Sequence, residues 1–82
     1  MSQTKKIKNL VKLDNNWISG EYKGFVFEAK VFDEPSVFGI DNGRVSKLFV
    51  TQNNKLVFNY DRGMDIDDPI GHEIKNQIEK QI

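Results

Sequence analysis

The stretch "NYDRGMDIDDP", residues 59–69, crowds Tyr60, Asp61, Arg62, Asp65, Asp67 and Asp68 into one short segment. Its carboxylates suggest a metal loop, but a calcium loop needs ligands at alternating positions and a bidentate Glu at position twelve. With Asp61 at position one, Asp65 and Asp67 fall at five and seven, Gly63 occupies position three and His72 occupies position twelve. The pattern fails. Helix capping and a favourable meeting with the helix dipole account for Asp67 and Asp68 without a metal.

Arg62 reads differently. A guanidinium at a strand end, beside a glycine that accepts a turn, offers a planar five-donor fork to a phosphate or carboxylate. The internal alternative is a pair with Asp61, Asp65 or Asp33. "GRVSK" repeats the theme, with Gly43 before Arg44 and with Ser46 and Lys47 following. On an ideal strand Arg44 and Ser46 share one face while Lys47 points away with Val45 and Phe49, which disfavours one pocket using all three. The alternative for Lys47 is an edge lysine whose stem lies along apolar surface.

Other chemistries find less support. His72 is the only histidine and cysteine is absent, which excludes disulfides, thiolate zinc and multi-histidine metal sites. Neither glycine-rich phosphate motif occurs. Asp33 and Glu34 are adjacent and therefore splayed, and Asp33 meets Asp61 only if their strands are neighbours. A small metal-dependent phosphodiesterase or hydrolase would rest on Asp61, Asp65 and His72.

The elements that position these groups follow from periodicity. "GFVFEAKVF" alternates Phe25, Phe27, Ala29 and Val31 against Val26, Glu28, Lys30 and Phe32, the signature of a half-buried strand. "RVSKLFVT" and "KLVFNY" continue it around Asn53-Asn54, residues that tolerate a tight type I′ turn. "NWISGEY" is a hairpin partner across Lys23-Gly24. The segment "KIKNLVKL" suits an edge strand or a short helix, with the balance toward a strand. "DEPSVFGIDNGR" is punctuated by Pro35, Gly39 and Gly43 and reads as a structured loop in which Val37, Phe38 and Ile40 fold back on the core or face a partner. After Asp68 the pattern becomes helical: Pro69 suits the first turn, and Ile70, Ile74, Ile78 and Ile82 form one stripe.

These elements predict one α+β domain: an antiparallel four- to five-stranded meander with one C-terminal helix packed on one face. Its parts are a basic N-terminal segment over residues 1–15, the sheet over 16–62 and the helix over 68–82. With 82 residues, 38% hydrophobic and 29% charged, the chain matches an ordinary single globular domain. No apolar run reaches membrane-spanning length, and no secretory signal is visible, so a reducing, cytoplasmic compartment is expected.

Net charge is zero, which disfavours a general nucleic-acid binder. The ends are polarised: Lys5, Lys6, Lys8 and Lys12 against Asp14 leave residues 1–16 at +3, and residues 64–82 stand at −3.

The stretches "FEAKVFDEPSVFGIDNGRVSKL" and "NYDRGMD" resemble a family of short uncharacterised proteins, a domain of unknown function met in Gram-positive bacteria and their phages. The resemblance spans roughly residues 17 to 66. It implies a compact sheet-rich fold and a phage setting, and it transfers no activity. Related sequences tend to carry Trp after the Arg-Gly pair, where this chain has Met64, so no stacking role passes to that position.

The expected function is a non-enzymatic binding protein that antagonises a host defence system. It would sequester a nucleotide-like anionic ligand through Arg44, Lys47 and Arg62, with Tyr60 stacking, or occlude a host protein. The protein-directed version uses Val37 and Phe38 as an apolar protrusion and Asp65, Asp67 and Asp68 as a mimic of nucleic-acid charge. No cofactor is expected. So small a subunit leaves little depth for a pocket, which points to a site between protomers of a homo-oligomer.

Overall fold

The computed structural model describes residues 7–61 and 63–82. Lys5, Lys6 and Arg62 lie outside the described residues. Among the described residues, six strands follow one another in space as in sequence: β1 (Lys8–Lys12), β2 (Trp17–Tyr22), β3 (Phe25–Val31), β4 (Val45–Gln52), β5 (Lys55–Asp61) and β6 (Met64–Ile66). Every neighbouring pair is antiparallel. A single 3₁₀ turn, Ile40–Asn42, interrupts the β3–β4 loop, and the helix α1 (Pro69–Gln81) closes the chain.

The α+β class and the C-terminal helix are as expected, but the sheet has six strands rather than four to five. The additional one is β6. It folds back on β5 with Asn59 opposite Ile66 and Tyr60 opposite Met64, and the turn is closed by the Asp61 N–H donating to the Gly63 carbonyl. Three residues inside an acidic run are too few to show a period.

Asparagine turns set the registers. Asn53 and Asn54 both have positive φ, 53° and 65°, as a type I′ turn requires, and Asn15 and Asn16 do the same between β1 and β2. Lys23 and Gly24 repeat this conformation between β2 and β3.

With those registers, one face of the sheet reads Ile18, Ala29, Leu48 and Tyr60 across β2 to β5, then Gly20, Phe27, Val50 and Phe58. Phe27, Ala29, Leu48, Val50 and Phe58 have no exposed surface. The helix α1 covers this face. Asp68 caps it by accepting the Ile70 N–H at 2.9 Å, and Pro69 occupies the first turn, where no donor is needed. Ile74 and Ile78 are fully buried, while the stripe runs out at Ile82, 37% exposed. Gly71 permits the close approach: a Cβ there would stand 2.0 Å from Phe58 Cδ2.

Two pins hold the helix ends to the sheet. Tyr22 donates its hydroxyl to Glu73 at 2.8 Å, and Lys23 pairs with the same carboxylate. Burial first, then the Glu73 contact, pushes the Tyr22 phenol up, while Lys23 and Tyr22 together hold Glu73 below its ordinary value. At the other end Arg44 grips Glu79. No helix among the described residues is long and apolar enough to cross a membrane.

Candidate functional site

Two-against-one bulges decide which groups meet. Between Lys30 and Val31 the β3–β4 register shifts, so Lys47 lies opposite Lys30, Val45 lies opposite Val31, and Ser46 is the extra residue. The bulge brings Val45 into the core instead of the face it would share with Lys47 and Phe49 on an ideal strand.

Arg44 is redirected as well. Its backbone N–H and Nε donate to Glu79 carboxylate oxygens, each at 2.8 Å, and Nη2 donates to the Glu79 carbonyl at 3.0 Å. Burial alone would raise the Glu79 carboxyl, but the Arg44 backbone and guanidinium contacts, with Lys75 nearby, hold it below its usual range. The expected anion ligand Arg44 is thereby a clamp between loop and helix, turned to Glu79 and not among the residues lining the cleft described next.

On the face away from α1, Lys30 and Lys47 stand directly opposite on neighbouring strands. Like charges in that position destabilise a sheet. Lys47 is compensated by Asp61, opposite it on β5, with Nζ 3.5 Å from the carboxylate. Lys30 has its ammonium over the Phe32 ring, 5.6 Å from the centroid. These lysines floor one side of a cleft of about 360 Å³, completed by Phe32, Ser36, Phe38 and Ser46.

The β3–β4 loop supplies the wall, and its fold follows from a few polar contacts. Ser36 accepts the Phe38 N–H on its hydroxyl at 3.1 Å and the Gly39 N–H on its carbonyl at 3.0 Å, while its own N–H donates to the Gly43 carbonyl at 3.0 Å. Gly39 passes so close to Gly43 that a Cβ would lie 2.0 Å from its carbonyl oxygen. Ile40, 1% exposed, anchors the loop in the core, whereas Val37 and Phe38 remain 79% and 57% exposed. Of the loop's apolar residues, Ile40 folds back on the core, and Val37 and Phe38 stay exposed.

Tyr60 does not face the cleft as a stacking platform. It sits on the helix side of β5 and donates its hydroxyl to the Phe38 carbonyl at 3.0 Å, latching the loop from behind. The acidic run is engaged internally: Asp65 accepts from Asn59 at 3.2 Å, Asp67 lies 2.8 Å from His72 Nε2, and Asp68 caps α1. His72 also meets Phe58 edge to face at 5.6 Å. Asp61, Asp65 and His72 thus each have a different partner, and the described residues form no cluster of three or more His, Asp or Glu able to hold a metal.

Of the residues singled out from sequence, Lys47 and Phe38 line the cleft. Ser46, weighed with Arg44 and Lys47 and disfavoured as part of one pocket, lines it too, whereas Lys30 and Ser36 were not singled out. The phase of β3 already places Lys30 and Phe32 on one face, but their meeting with Lys47 depends on a bulge that periodicity does not reveal. What the arrangement offers chemically is two ammonium groups, two hydroxyl side chains and two aromatic rings around one opening.

No curated protein and no solved structure matches the chain. A family model matches residues 16–81, spanning β2 through α1 and hence every residue lining the cleft. The chain belongs to the family described as a domain of unknown function, DUF7678.

Proposed function

We propose that the protein is a non-enzymatic binding protein that captures a small anion bearing a flat apolar group, a nucleotide-like ligand, in the Lys30–Lys47 cleft. The observation that carries this reading is the cross-strand lysine pair bounded by Phe32 and Phe38. Lys47 already pairs with Asp61, whereas Lys30 faces it with no carboxylate of its own among the described residues, and a bound phosphate or carboxylate supplies the missing negative charge. The aromatic side chains supply the apolar wall that small-ligand sites combine with a few polar groups, and the volume falls at the small end of such sites.

The test is calorimetric titration with inorganic phosphate, nucleoside monophosphates and cyclic nucleotides. Lys30→Met and Lys47→Met are each expected to weaken binding by about ten-fold or more, the order of one charge-assisted contact. Lys55→Met, at the distant start of β5, is expected to leave affinity unchanged. Absence of binding across the panel, or binding indifferent to both cleft substitutions, refutes the proposal.

Occlusion of a protein is the second reading, favoured by the exposure of Val37 and Phe38 on a loop held rigidly from beneath. The proposed setting for either reading, antagonism of a host system by a phage-type protein, draws its support from the motif resemblance.

A further inference from the structure

The sheet face opposite α1 can be read as rows crossing the strands. One row is Trp17, Lys30, Lys47 and Asp61; the next is Ser19, Glu28, Phe49 and Asn59; the third is Glu21, Val26, Thr51 and Leu56. Phe32 continues the same face of β3 beyond the Lys30 row, its ring beneath the Lys30 ammonium. Trp17 and Phe49 stack across the middle, with centroids 6.0 Å apart and planes 17° from parallel. Val26 and Phe32 are 50% and 39% exposed. Among the described residues neither Lys30 nor Glu28 takes part in an ion pair.

We infer that this face packs against the same face of a second copy of the chain, about a two-fold axis that crosses the strands between the Lys30 row and the Glu28 row. A face-to-face isologous pair requires an axis lying in the interface. The charges rule out several directions and positions. An axis along the strands between β3 and β4 sets Lys30 over Lys47 of the other copy, and one along β3 sets Lys30 over itself. An axis across the strands at the Glu28 row sets Glu28 over itself, and one at the Lys30 row again meets lysine with lysine. Like charges in direct opposition are destabilising in each case.

An axis midway between those two rows opposes no like charges and is complementary at every position on β3. Lys30 of each copy stands over Glu28 of the other. Lys47 stands over the ring of Phe49, a cation–π arrangement, and Phe32 stands over Val26. Each contact occurs twice. Aligned packing of two such sheets is the ordinary geometry of a β-sandwich. Molecular extents of 36 × 25 × 25 Å leave roughly 600 Å² of sheet face per protomer, so the pair would bury about 1,200 Å², the lower bound for a stable interface. The dimer is accordingly expected to be reversible. It uses Lys30, Lys47 and Phe32 of the same cleft, so an anion there and Glu28 of the second copy compete for Lys30.

Sedimentation velocity on ligand-free protein, from about 10 μM to about 1 mM, tests the inference. The wild type is expected to show a concentration-dependent dimer. Glu28→Lys and Lys30→Glu, each checked for a native circular dichroism spectrum, are each expected to raise the dissociation constant at least about ten-fold, because both copies of the contact become repulsive. Mixing the two single variants is expected to restore a dimer of summed mass, since each then supplies the charge the other needs. A wild-type protein monomeric throughout, a dimer indifferent to both reversals, or a mixture that fails to associate overturns the inference. Failure of the dimer leaves the ligand proposal standing, because the monomer still carries the Lys30–Lys47 cleft, and the titration decides that proposal by itself.

Discussion

Gly71→Ala sets helix propensity against packing, and the geometry decides between them. In an exposed helix the exchange would stabilise by about 1 kcal/mol. Here the new Cβ would stand 2.0, 2.2 and 2.3 Å from three atoms of the Phe58 ring, where ordinary carbon contacts lie near ~3.5–4.0 Å. Phe58, on β5 opposite Val50 and beneath Gly71 of α1, has no exposed surface, so the ring has nowhere to go. The helix must lift by more than about 1 Å, loosening Ile74 and Ile78 from the sheet. Overpacking of that kind costs about 3 kcal/mol or more, which leaves a net loss of about 2 kcal/mol after the propensity gain. Urea denaturation is the assay: with a slope of about 1 kcal/mol per molar for a domain of this size, the midpoint should fall by about 2 M. Gly63→Ala is the control, because a Cβ at Gly63 meets nothing within 4 Å, and it should be neutral or slightly stabilising. A Gly71→Ala protein as stable as the wild type would refute the seating of α1 on Phe58.

Other outcomes follow from the clamps. Glu79→Gln removes a charge-assisted contact whose side chains are only 19% and 23% exposed, and at neutral pH it should cost about 1–3 kcal/mol by urea denaturation. Glu79 and Glu73 titrate below their ordinary value of 4.5 in the folded protein, so their contribution is complete above that value and is lost as pH falls through the depressed folded values. Acid unfolding followed by circular dichroism should therefore show a shallower pH dependence in Glu79→Gln than in the wild type. Tyr60→Phe removes the latch on the Phe38 carbonyl, and should cost about 1 kcal/mol or less while increasing amide hydrogen exchange at Gly39, Asn42 and Gly43.

The fold was legible where one pattern ran long enough. Alternation in β3, the Asn53-Asn54 turn and the four-residue isoleucine stripe each specified an element, and Asp68-Pro69 marked where the helix begins. Legibility failed at single extra residues. Ser46 and Val57 each add one residue to a ladder, so the phase read before the bulge does not hold after it. That is why Val45 appeared on the wrong face and Arg44 appeared free. Lys47 was visible as a candidate because it neighbours a loop, but Lys30 becomes one only through its cross-strand partner. The acidic run invited a functional reading because its partners, Asn59 and His72, are chosen by folding.

The strictly sequential strand order has a kinetic consequence. Each hairpin can form from residues close in the chain, so the sheet requires little loop-closure entropy, and a meander of this kind should have a low contact order for a β-rich protein. The helix is different. Its pins join residues 35 and 51 positions apart, Arg44 to Glu79 and Tyr22 to Glu73. Docking of α1 is thus the late, non-local event, and substitutions at the pins should accelerate unfolding far more than they slow folding.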